Sequence, residues 1–314
     1  MYWLSISAGC CRMPNVKLNN YLHLHFIVFV WGFTAVIGKL ITIDALPLVW
    51  YRMLMASLII FAYILIRKFH LKVPPKALLT LILGGIVVSL HWVTFFMAIK
   101  VSNVSIALAT MSTGAFFTAV LEPFWYGRKM VGYEVVFGLV VMLGLYIMFS
   151  VETGYLNGIL LALVSSLLSA IFSLINGKLT KVHRPSVISF YELGSGVLFL
   201  SLYLAFSGGY HPKFFQLSLS DWLFIFLLAS VCTAYAFIAS VKILKYISPY
   251  TVMLTNNMEP VYGIILGVLL LGDSEKMKPL FYIGALLVLT TVVANGVLKN
   301  RKKLKKTTNG LPSH

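Results

Sequence analysis

Charged residues are scarce in this sequence, and acidic residues are the scarcest. Asp, Glu, Lys and Arg make up only 11% of the 314 residues, and just nine residues are acidic. A soluble globular domain carries about 25% charged residues, whereas this chain is 60% apolar. So few charges cannot cover so much apolar surface in water, which excludes a soluble domain. The remaining class is a polytopic membrane protein.

Cysteine is also rare, and the three that occur are poorly placed for a shared role. Cys10 and Cys11 are neighbours near the amino terminus, and Cys232 lies within an apolar run. This spacing excludes a disulfide framework and a zinc site. The sequence also lacks HExxH, GxSxG and Walker-type motifs. It therefore predicts no metal, no cofactor, no ATP-driven step and no enzyme activity.

Long apolar runs dominate the sequence. A helix of about 20 mostly apolar residues crosses a bilayer, and ten such segments are predicted, with short connections between them. They occupy residues 22–41, 46–66, 77–98, 103–123, 133–150, 155–177, 186–206, 221–242, 249–271 and 279–298. The predicted fold is therefore an all-α polytopic membrane protein with ten transmembrane helices, embedded in the lipid bilayer.

The basic residues predict the orientation of the chain. A net charge of +16 would suit a nucleic-acid partner if the basic residues were clustered on one face, but here they occur in short groups between the apolar runs. With a cytoplasmic amino terminus, 19 of the 25 Lys and Arg residues fall inside, 5 fall outside, and Arg52 lies within a span. This asymmetry predicts that both termini are cytoplasmic, and it argues against nucleic acid as a partner.

Three weak internal matches occur in the same order in the two halves of the chain. Residues 31–40 (WGFTAVIGKL) resemble 170–179 (AIFSLINGKL), and 100–110 (KVSNVSIALAT) resemble 245–255 (KYISPYTVMLT). The fifth predicted span likewise resembles the tenth. Because each half has five predicted spans, the second half must cross the membrane in the opposite sense. Inverted five-helix repeats of this kind are typical of secondary transporters that work by alternating access.

This arrangement resembles the EamA-type permeases of the drug/metabolite transporter superfamily. The resemblance rests on the two five-span repeats, on Trp31-Gly32 in the first span, and on the run 271–273 after the ninth span. That run is Leu-Gly-Asp, where family members commonly carry Leu-Gly-Glu. The resemblance covers about residues 22–298. One departure lies in the fourth span, where Gly114 and Ala115 occupy positions at which a proline is frequent.

The resemblance implies a permease of the bacterial inner membrane that moves small organic metabolites. We expect export of amino acids or related compounds, coupled to the counter-movement of a proton or a solute. The alternatives are a channel, a sensor or a membrane-embedded enzyme. The predicted domains are a cytoplasmic extension (1–20), a first repeat (21–150), a second repeat (151–298) and a basic cytoplasmic tail (299–314). The sequence carries no signal for an oligomeric state.

A polar cluster in the ninth span is the first candidate for a functional site, because a charge at membrane depth is costly. Glu259 lies about eleven residues from either end of this span, close to the midplane. Pro260 follows it and frees a carbonyl one turn earlier, beside Asn256 and Asn257. We predict a kinked helix here, in which Glu259 binds a cationic amino group or carries a coupling proton. The alternative is a glutamate that only fixes helix packing.

Further side chains from the first, third, eighth and ninth spans complete the predicted site. Aromatic rings can hold an organic solute by stacking or by cation–π contacts. The additional candidate residues are Trp31, Thr34, His91, Trp92, Tyr235 and Tyr262. For each aromatic residue the alternative is packing between helices, and for His91 it is a hydrogen-bonded structural role.

Two further intramembrane charges, Arg52 and Glu192, are predicted to act separately. Counted from the ends of their spans, they lie about 12 Å apart along the membrane normal. We expect Glu192 to pair with Lys178 or Lys242 on the inner side. We expect Arg52 to lie near Asp44 or an anionic group of the substrate.

Overall fold

The computed structural model describes residues 13–127, 132–151 and 153–308. All regular structure in these residues is helical. The α-helices are α1 (Met13–Leu40), α2 (Ala45–Ile66), α3 (Pro75–Val101), α4 (Val104–Met111), α5 (Gly114–Tyr126), α6 (Gly132–Val151), α7 (Leu156–Leu179), α8 (Pro185–Phe206), α9 (Leu219–Leu227), α10 (Ala236–Ile243), α11 (Pro249–Asn256), α12 (Met258–Leu271) and α13 (Pro279–Thr308). Short 3-10 helices cover Thr153–Tyr155, Pro212–Phe215 and Gly272–Glu275, and a π-helix covers Leu228–Tyr235.

Eight helical segments in the described part of the chain are long and apolar enough to cross a membrane. These segments are Leu18–Leu40, Ala45–Ile66, Pro75–Val101, Val104–Tyr126, Leu156–Leu179, Pro185–Phe206, Leu219–Ile243 and Pro249–Leu271. The fifth and tenth predicted spans correspond to α6 and α13, whose apolar stretches are the shorter Leu139–Met148 and Pro279–Thr291. The all-helical, multi-pass architecture is confirmed, and the count of ten spans stays a prediction.

The two terminal helices run beyond the predicted spans. Helix α1 begins at Met13, inside the predicted extension, and α13 continues to Thr308, inside the predicted basic tail. Residues 1–12 and 309–314 of these two segments lie outside the described residues. The predicted domain boundaries therefore stay predictions.

Helix ends gather at two ends of the bundle. We call the end where α1 begins the near end and the end where α1 finishes the far end. At the near end, the hydroxyl of Tyr191 donates to the carbonyl oxygen of Leu71 at 2.8 Å. The guanidinium carbon of Arg184 lies 4.4 Å from the centre of the Phe69 ring. These contacts join the segment after α2 to the start of α8.

The far end is joined by hydrogen bonds between the two halves and within the first half. The carboxylate of Asp221 accepts hydrogen bonds from the backbone amide and the hydroxyl of Thr42, both at 2.7 Å. The ammonium of Lys39 donates to the carbonyl oxygens of Ile99 and Ser102, both at 3.2 Å. The segments after α1 and α3 and the start of α9 are thereby held together.

The packing of the helices keeps the same pattern when the two halves are exchanged. Helix α1 packs against α12, and its counterpart α7 packs against α5, the counterpart of α12. Likewise, α3 packs against α8, and their counterparts, the π-helix and α2, pack against each other. The helix breaks also correspond, because α4 ends at Met111 and α11 ends at Asn256. These two positions are separated by the 145-residue offset of the sequence repeat. Equivalent elements of the two halves therefore occupy equivalent places.

Equivalent residues of the repeat lie at opposite ends of the bundle. Lys39 closes α1 at the far end, whereas its repeat partner Lys178 closes α7 at the near end. The ammonium of Lys178 lies 5.5 Å from the rings of both Trp125 and Tyr126, at the end of α5. This arrangement supports the predicted inversion of the second half relative to the first.

Glycines allow close crossings between the two halves. A Cβ atom on Gly284 would lie 2.8 Å from the carbonyl oxygen of Gly144, where α13 crosses α6. A Cβ atom on Gly85 would lie 2.3 Å from the carbonyl oxygen of Glu192, where α3 crosses α8. Small residues at such contacts let helix backbones touch inside a membrane.

Candidate functional site

A cavity of about 110 Å³ lies between the two halves of the bundle. Helices α1, α2, α3 and α4 line it from the first half, and α7, α10, α11 and α12 line it from the second. Its polar lining side chains are Thr34, Arg52, His91, Ser169, Ser173, Ser240, Asn256, Asn257 and Glu259, and its aromatic ones are Trp31, Trp92, Phe95, Phe172 and Phe237.

Seven of the nine predicted binding residues line this cavity, together with Pro260. The seven are Trp31, Thr34, His91, Trp92, Asn256, Asn257 and Glu259. Residues from α1, α3, α11 and α12 therefore meet in one place, as expected from the sequence. Their role in binding stays a prediction.

Tyr235 and Tyr262 lie outside the lining of this cavity. Tyr235 is 45% exposed, and its hydroxyl lies 2.8 Å from the Nε2 atom of His23. The ring of Tyr262 packs edge-on against Phe29 at 5.4 Å, where α12 crosses α1. The sequence placed both residues in the correct helices but did not indicate the direction in which each side chain points.

The predicted kink in the ninth span is a break between α11 and α12. Pro260 has no N–H group, so the carbonyl of residue 256 receives no α-helical hydrogen bond from it. Helix α11 ends at Asn256, and α12 begins one residue after Asn257. The Oδ1 atom of Asn256 and the Nδ2 atom of Asn257 have no hydrogen-bond partner among the described residues. Both amides belong to residues that line the cavity.

Arg52 lies in the cavity wall. The sequence left its place open between Asp44 and an anionic group of the substrate. Its side chain is 2% exposed, and its Nε atom donates to the hydroxyl of Thr233 in the π-helix at 2.6 Å. The guanidinium carbon lies 4.1 Å from the centre of the Trp92 ring, a cation–π contact. The expected contact with Asp44 is not formed, because that residue is the exposed N-cap of α2. The sequence signal for this residue was the presence of an arginine inside an apolar run.

Arg52 and Glu259 give the cavity one basic and one acidic group. The two groups line the same cavity and attract each other electrostatically. Within the described part of the chain, however, no N–O distance of 4.0 Å or less joins them as an ion pair. The cavity therefore presents one guanidinium and one carboxyl group that are not joined in a direct ion pair.

His91 is a hydrogen-bonded residue of the cavity wall. Its Nδ1 atom lies 2.9 Å from the carbonyl oxygen and 2.8 Å from the hydroxyl oxygen of Ser165 on α7. These bonds link α3 to α7 and fix the orientation of the ring. The Nδ1 atom of the imidazole is therefore already hydrogen-bonded within the protein.

Trp31 and Cys232 connect α1 to the π-helix. The indole N–H of Trp31 donates to the carbonyl oxygen of Cys232 at 3.2 Å. The thiol of Cys232 is buried, and its sulfur lies 3.9 Å from the carbonyl oxygen of Val30. A small, weakly polar side chain suits this helix contact.

Glu192 does not form the predicted ion pair. Its carboxylate accepts a hydrogen bond from the Nδ2 atom of Asn176 at 2.9 Å. Lys178 lies over two aromatic rings at the end of α5 instead, and Lys242 is exposed. The prediction was wrong because it used depth alone, whereas pairing also depends on how each helix is rotated about its axis.

Comparison with known proteins identifies the family. A model of the EamA-like transporter family matches residues 21–150 and 156–296, which is most of the chain. The chain belongs to the EamA-like transporter family. This is a family of membrane transporters within the drug/metabolite transporter superfamily, and not a family of enzymes. No curated protein matches this EamA-like chain.

The fold also resembles solved structures. One crystal structure aligns with the EamA-like chain with a TM-score of 0.66 and 16% sequence identity. The alignment covers 90% of this chain and 98% of the other. At this identity the likeness shows the fold alone.

Proposed function

We propose that this EamA-like transporter carries small zwitterionic metabolites, with amino acids as the substrate class. The observation that supports this proposal is the unpaired basic and acidic group in one buried cavity. The guanidinium of Arg52 binds the carboxylate of the solute, and the carboxylate of Glu259 binds its ammonium. A zwitterion placed between them neutralises both charges, which is worth most where water is excluded.

The contacts of Arg52 support this role. Thr233 occupies its Nε atom and Trp92 covers one face. Its terminal nitrogens make no hydrogen bond with any residue that the structure describes. A guanidinium fixed in this way presents two parallel N–H donors, the geometry that a carboxylate prefers.

The size of the cavity limits the solute. A buried apolar cavity of about 150 Å³ accommodates a benzene molecule, so a cavity of about 110 Å³ suits a solute of only a few heavy atoms. The unpartnered amide atoms of Asn256 and Asn257 add polar contacts beside the charged pair. These features favour small amino acids over large aromatic ones.

In this conformation the cavity lies closer to one end of the bundle. It extends to Leu244 at the near end of α10, whereas Thr34 and Arg52 lie about 10 Å from the far ends of their helices. We propose that the near end faces the cytoplasm of a bacterium, with both termini inside and the protein in the inner membrane. Solute then enters from the cytoplasm, and the movement of a proton or a second solute drives its release outside.

Counterflow in proteoliposomes tests the proposed substrate class. L-alanine carries both charges, propionate carries only the carboxylate, and ethylamine carries only the ammonium. We expect exchange of L-alanine and not of the two single-charge analogues. The Glu259→Gln variant should lose this exchange, and the control variant Glu122→Gln, on α5 away from the cavity, should keep it. Equal exchange of propionate or ethylamine, or no exchange of any small zwitterion, would contradict the proposal.

A further inference from the structure

Glu192 is a buried carboxyl group that the proposed solute site does not use. It lies on α8 with 0% exposure, and one of its oxygens, Oε1, accepts the hydrogen bond from Asn176. The other oxygen, Oε2, has no hydrogen-bond partner among the described residues, and neither has the Oδ1 atom of Asn176. Two neighbouring buried side chains therefore each keep an acceptor oxygen without a donor.

Cations on the elements around Glu192 are engaged elsewhere. Helix α8 packs against α2, α3 and α10, and Asn176 brings α7 beside it. The basic groups on these four helices are Arg52, Lys76, His91, Lys100, Lys178 and Lys242. Arg52 lies over Trp92, His91 bonds to Ser165, and Lys178 lies over aromatic rings. Lys100 donates to the carbonyl oxygen of Ile41, and Lys76 and Lys242 are exposed. In the described part of the chain, Glu192 is thus buried without a counter-charge, which favours its neutral, protonated form.

The space around the carboxyl group restricts what it can bind. A Cβ atom on Gly84 would lie 2.6 Å from its Oε1 atom, and one on Gly85 would lie 2.3 Å from its backbone carbonyl oxygen. Helix α3 therefore presses directly against Glu192. A metal cation needs several oxygen ligands around it, whereas a proton needs only one oxygen.

Helix α7 connects this carboxyl group to the solute cavity. Ser169 and Ser173 of α7 line the cavity, and Asn176 lies one turn beyond Ser173 on the same face. The hydroxyl of Ser173 has no hydrogen-bond partner among the described side chains and carbonyls. One helix therefore carries both part of the cavity wall and the hydrogen-bond donor to Glu192. A movement of α7 would therefore act on both the cavity wall and the contact between Asn176 and Glu192.

We propose that Glu192 is the proton-binding site that couples this carrier to a proton gradient, with Asn176 as its positioning residue. The proposal rests on the zwitterion transport proposed above. The carboxylate of Glu192 takes one proton from water on one side of the membrane, forming an O–H bond. It gives up the same proton on the other side after α7 has moved. A zwitterion adds no net charge, so each cycle moves one positive charge.

Infrared difference spectroscopy of the purified protein in liposomes tests protonation without any solute. We expect a carbonyl band of a protonated carboxylic acid whose intensity changes with pH. This band should be lost in Glu192→Gln and kept in the control variant Glu122→Gln. The Asn176→Ala variant, which keeps the carboxyl group, should shift the midpoint of the titration. A band unchanged by Glu192→Gln, or one that does not titrate, would overturn the proposal.

Transport of L-alanine in the same liposomes tests coupling. We expect Glu192→Gln to keep L-alanine counterflow, which needs no net proton movement, and to lose accumulation driven by a pH gradient. Retained accumulation, or loss of counterflow in a variant that melts at the wild-type temperature, would overturn the proposal. If the wild-type protein moves no L-alanine at all, the proposed substrate class fails, and the infrared titration still decides the role of Glu192.

Discussion

Arg52 combines three contacts that fix one cation inside the membrane. Its Nε atom bonds to Thr233 at 2.6 Å, and its guanidinium carbon lies 4.1 Å from the centre of the Trp92 ring and 5.5 Å from that of the Phe96 ring. A guanidinium suits this place because it is planar, weakly hydrated and stacks on aromatic rings. Lysine carries the same charge but can reproduce neither the stacking nor the pair of parallel donors.

We therefore expect Arg52→Lys to reduce L-alanine counterflow by about tenfold or more, since one charge-assisted hydrogen bond is worth about 1.5–3 kcal/mol. The matched control is Arg184→Lys, which replaces an arginine that also lies over an aromatic ring but at the near end of the bundle. Initial rates in proteoliposomes give the comparison. Equal rates for Arg52→Lys and the wild type would remove Arg52 from the solute site.

The depth of a polar residue in the membrane was easier to predict from the sequence than the direction in which its side chain points. Counting residues from the helix ends placed Glu259 and Pro260 at the centre, where the cavity lies. The direction of a side chain depends on how its helix is rotated against several neighbours, and a single sequence does not carry this information. Tyr235 was therefore placed in the cavity although it lies outside, and Arg52, which lines the cavity, was placed near either Asp44 or an anionic group of the substrate.

The short 3-10 helix after α12 supports the start of α4 in the other half. Glu275 is fully buried there. Its carboxylate accepts hydrogen bonds from the backbone amides of Val104 and Ser105 at 3.1 Å and 2.8 Å. These amides lack partners within their own helix, and a negative charge at a helix N-terminus is favourable. Sequence analysis gave Glu275 no role, because the residues it contacts are about 170 positions earlier in the chain.

We expect Glu275→Gln to lower the free energy of unfolding by about 1–3 kcal/mol, because one oxygen that accepts these hydrogen bonds becomes a donor. Thermal unfolding in detergent measures the change. A melting temperature equal to that of the wild type would show that the contact does not support α4.

Asp273, two residues earlier, provides the control. A hydrogen bond from Lys276 at 2.7 Å lowers the pKa of Asp273, so any stabilisation from this pair is present at neutral pH and lost as the pH falls through that lowered pKa. The pair is exposed and screened by solvent. Asp273→Asn should therefore leave the melting temperature unchanged.

At the scale of the whole molecule, the repeat was the most informative part of the sequence. The 145-residue offset predicted equivalent elements, and the breaks after Met111 and Asn256 occur at equivalent positions. The break after α4 forms without a proline. The hydroxyls of Ser112 and Thr113 bond instead to carbonyls one turn earlier, at 2.6 Å and 2.8 Å. The π-helix had no comparable signal, because it depends on packing between helices.

The predicted orientation can be tested with single cysteines in a cysteine-free background. Val182, at the near end, is 79% exposed, and Phe215, at the far end, is 60% exposed. We expect a membrane-impermeant maleimide to label Phe215→Cys in intact cells and Val182→Cys only after permeabilisation. The reverse pattern would place the near end outside and contradict the proposed orientation of the chain.

Equilibrium binding of radiolabelled L-alanine to the protein in lipid nanodiscs tests most directly whether the cavity between the halves is a zwitterion site. We predict saturable binding to the wild type, no competition by propionate or ethylamine, and affinity at least about tenfold weaker in Glu259→Gln, the loss expected for one charge-assisted hydrogen bond. Binding of equal affinity to the wild type and Glu259→Gln would contradict the account.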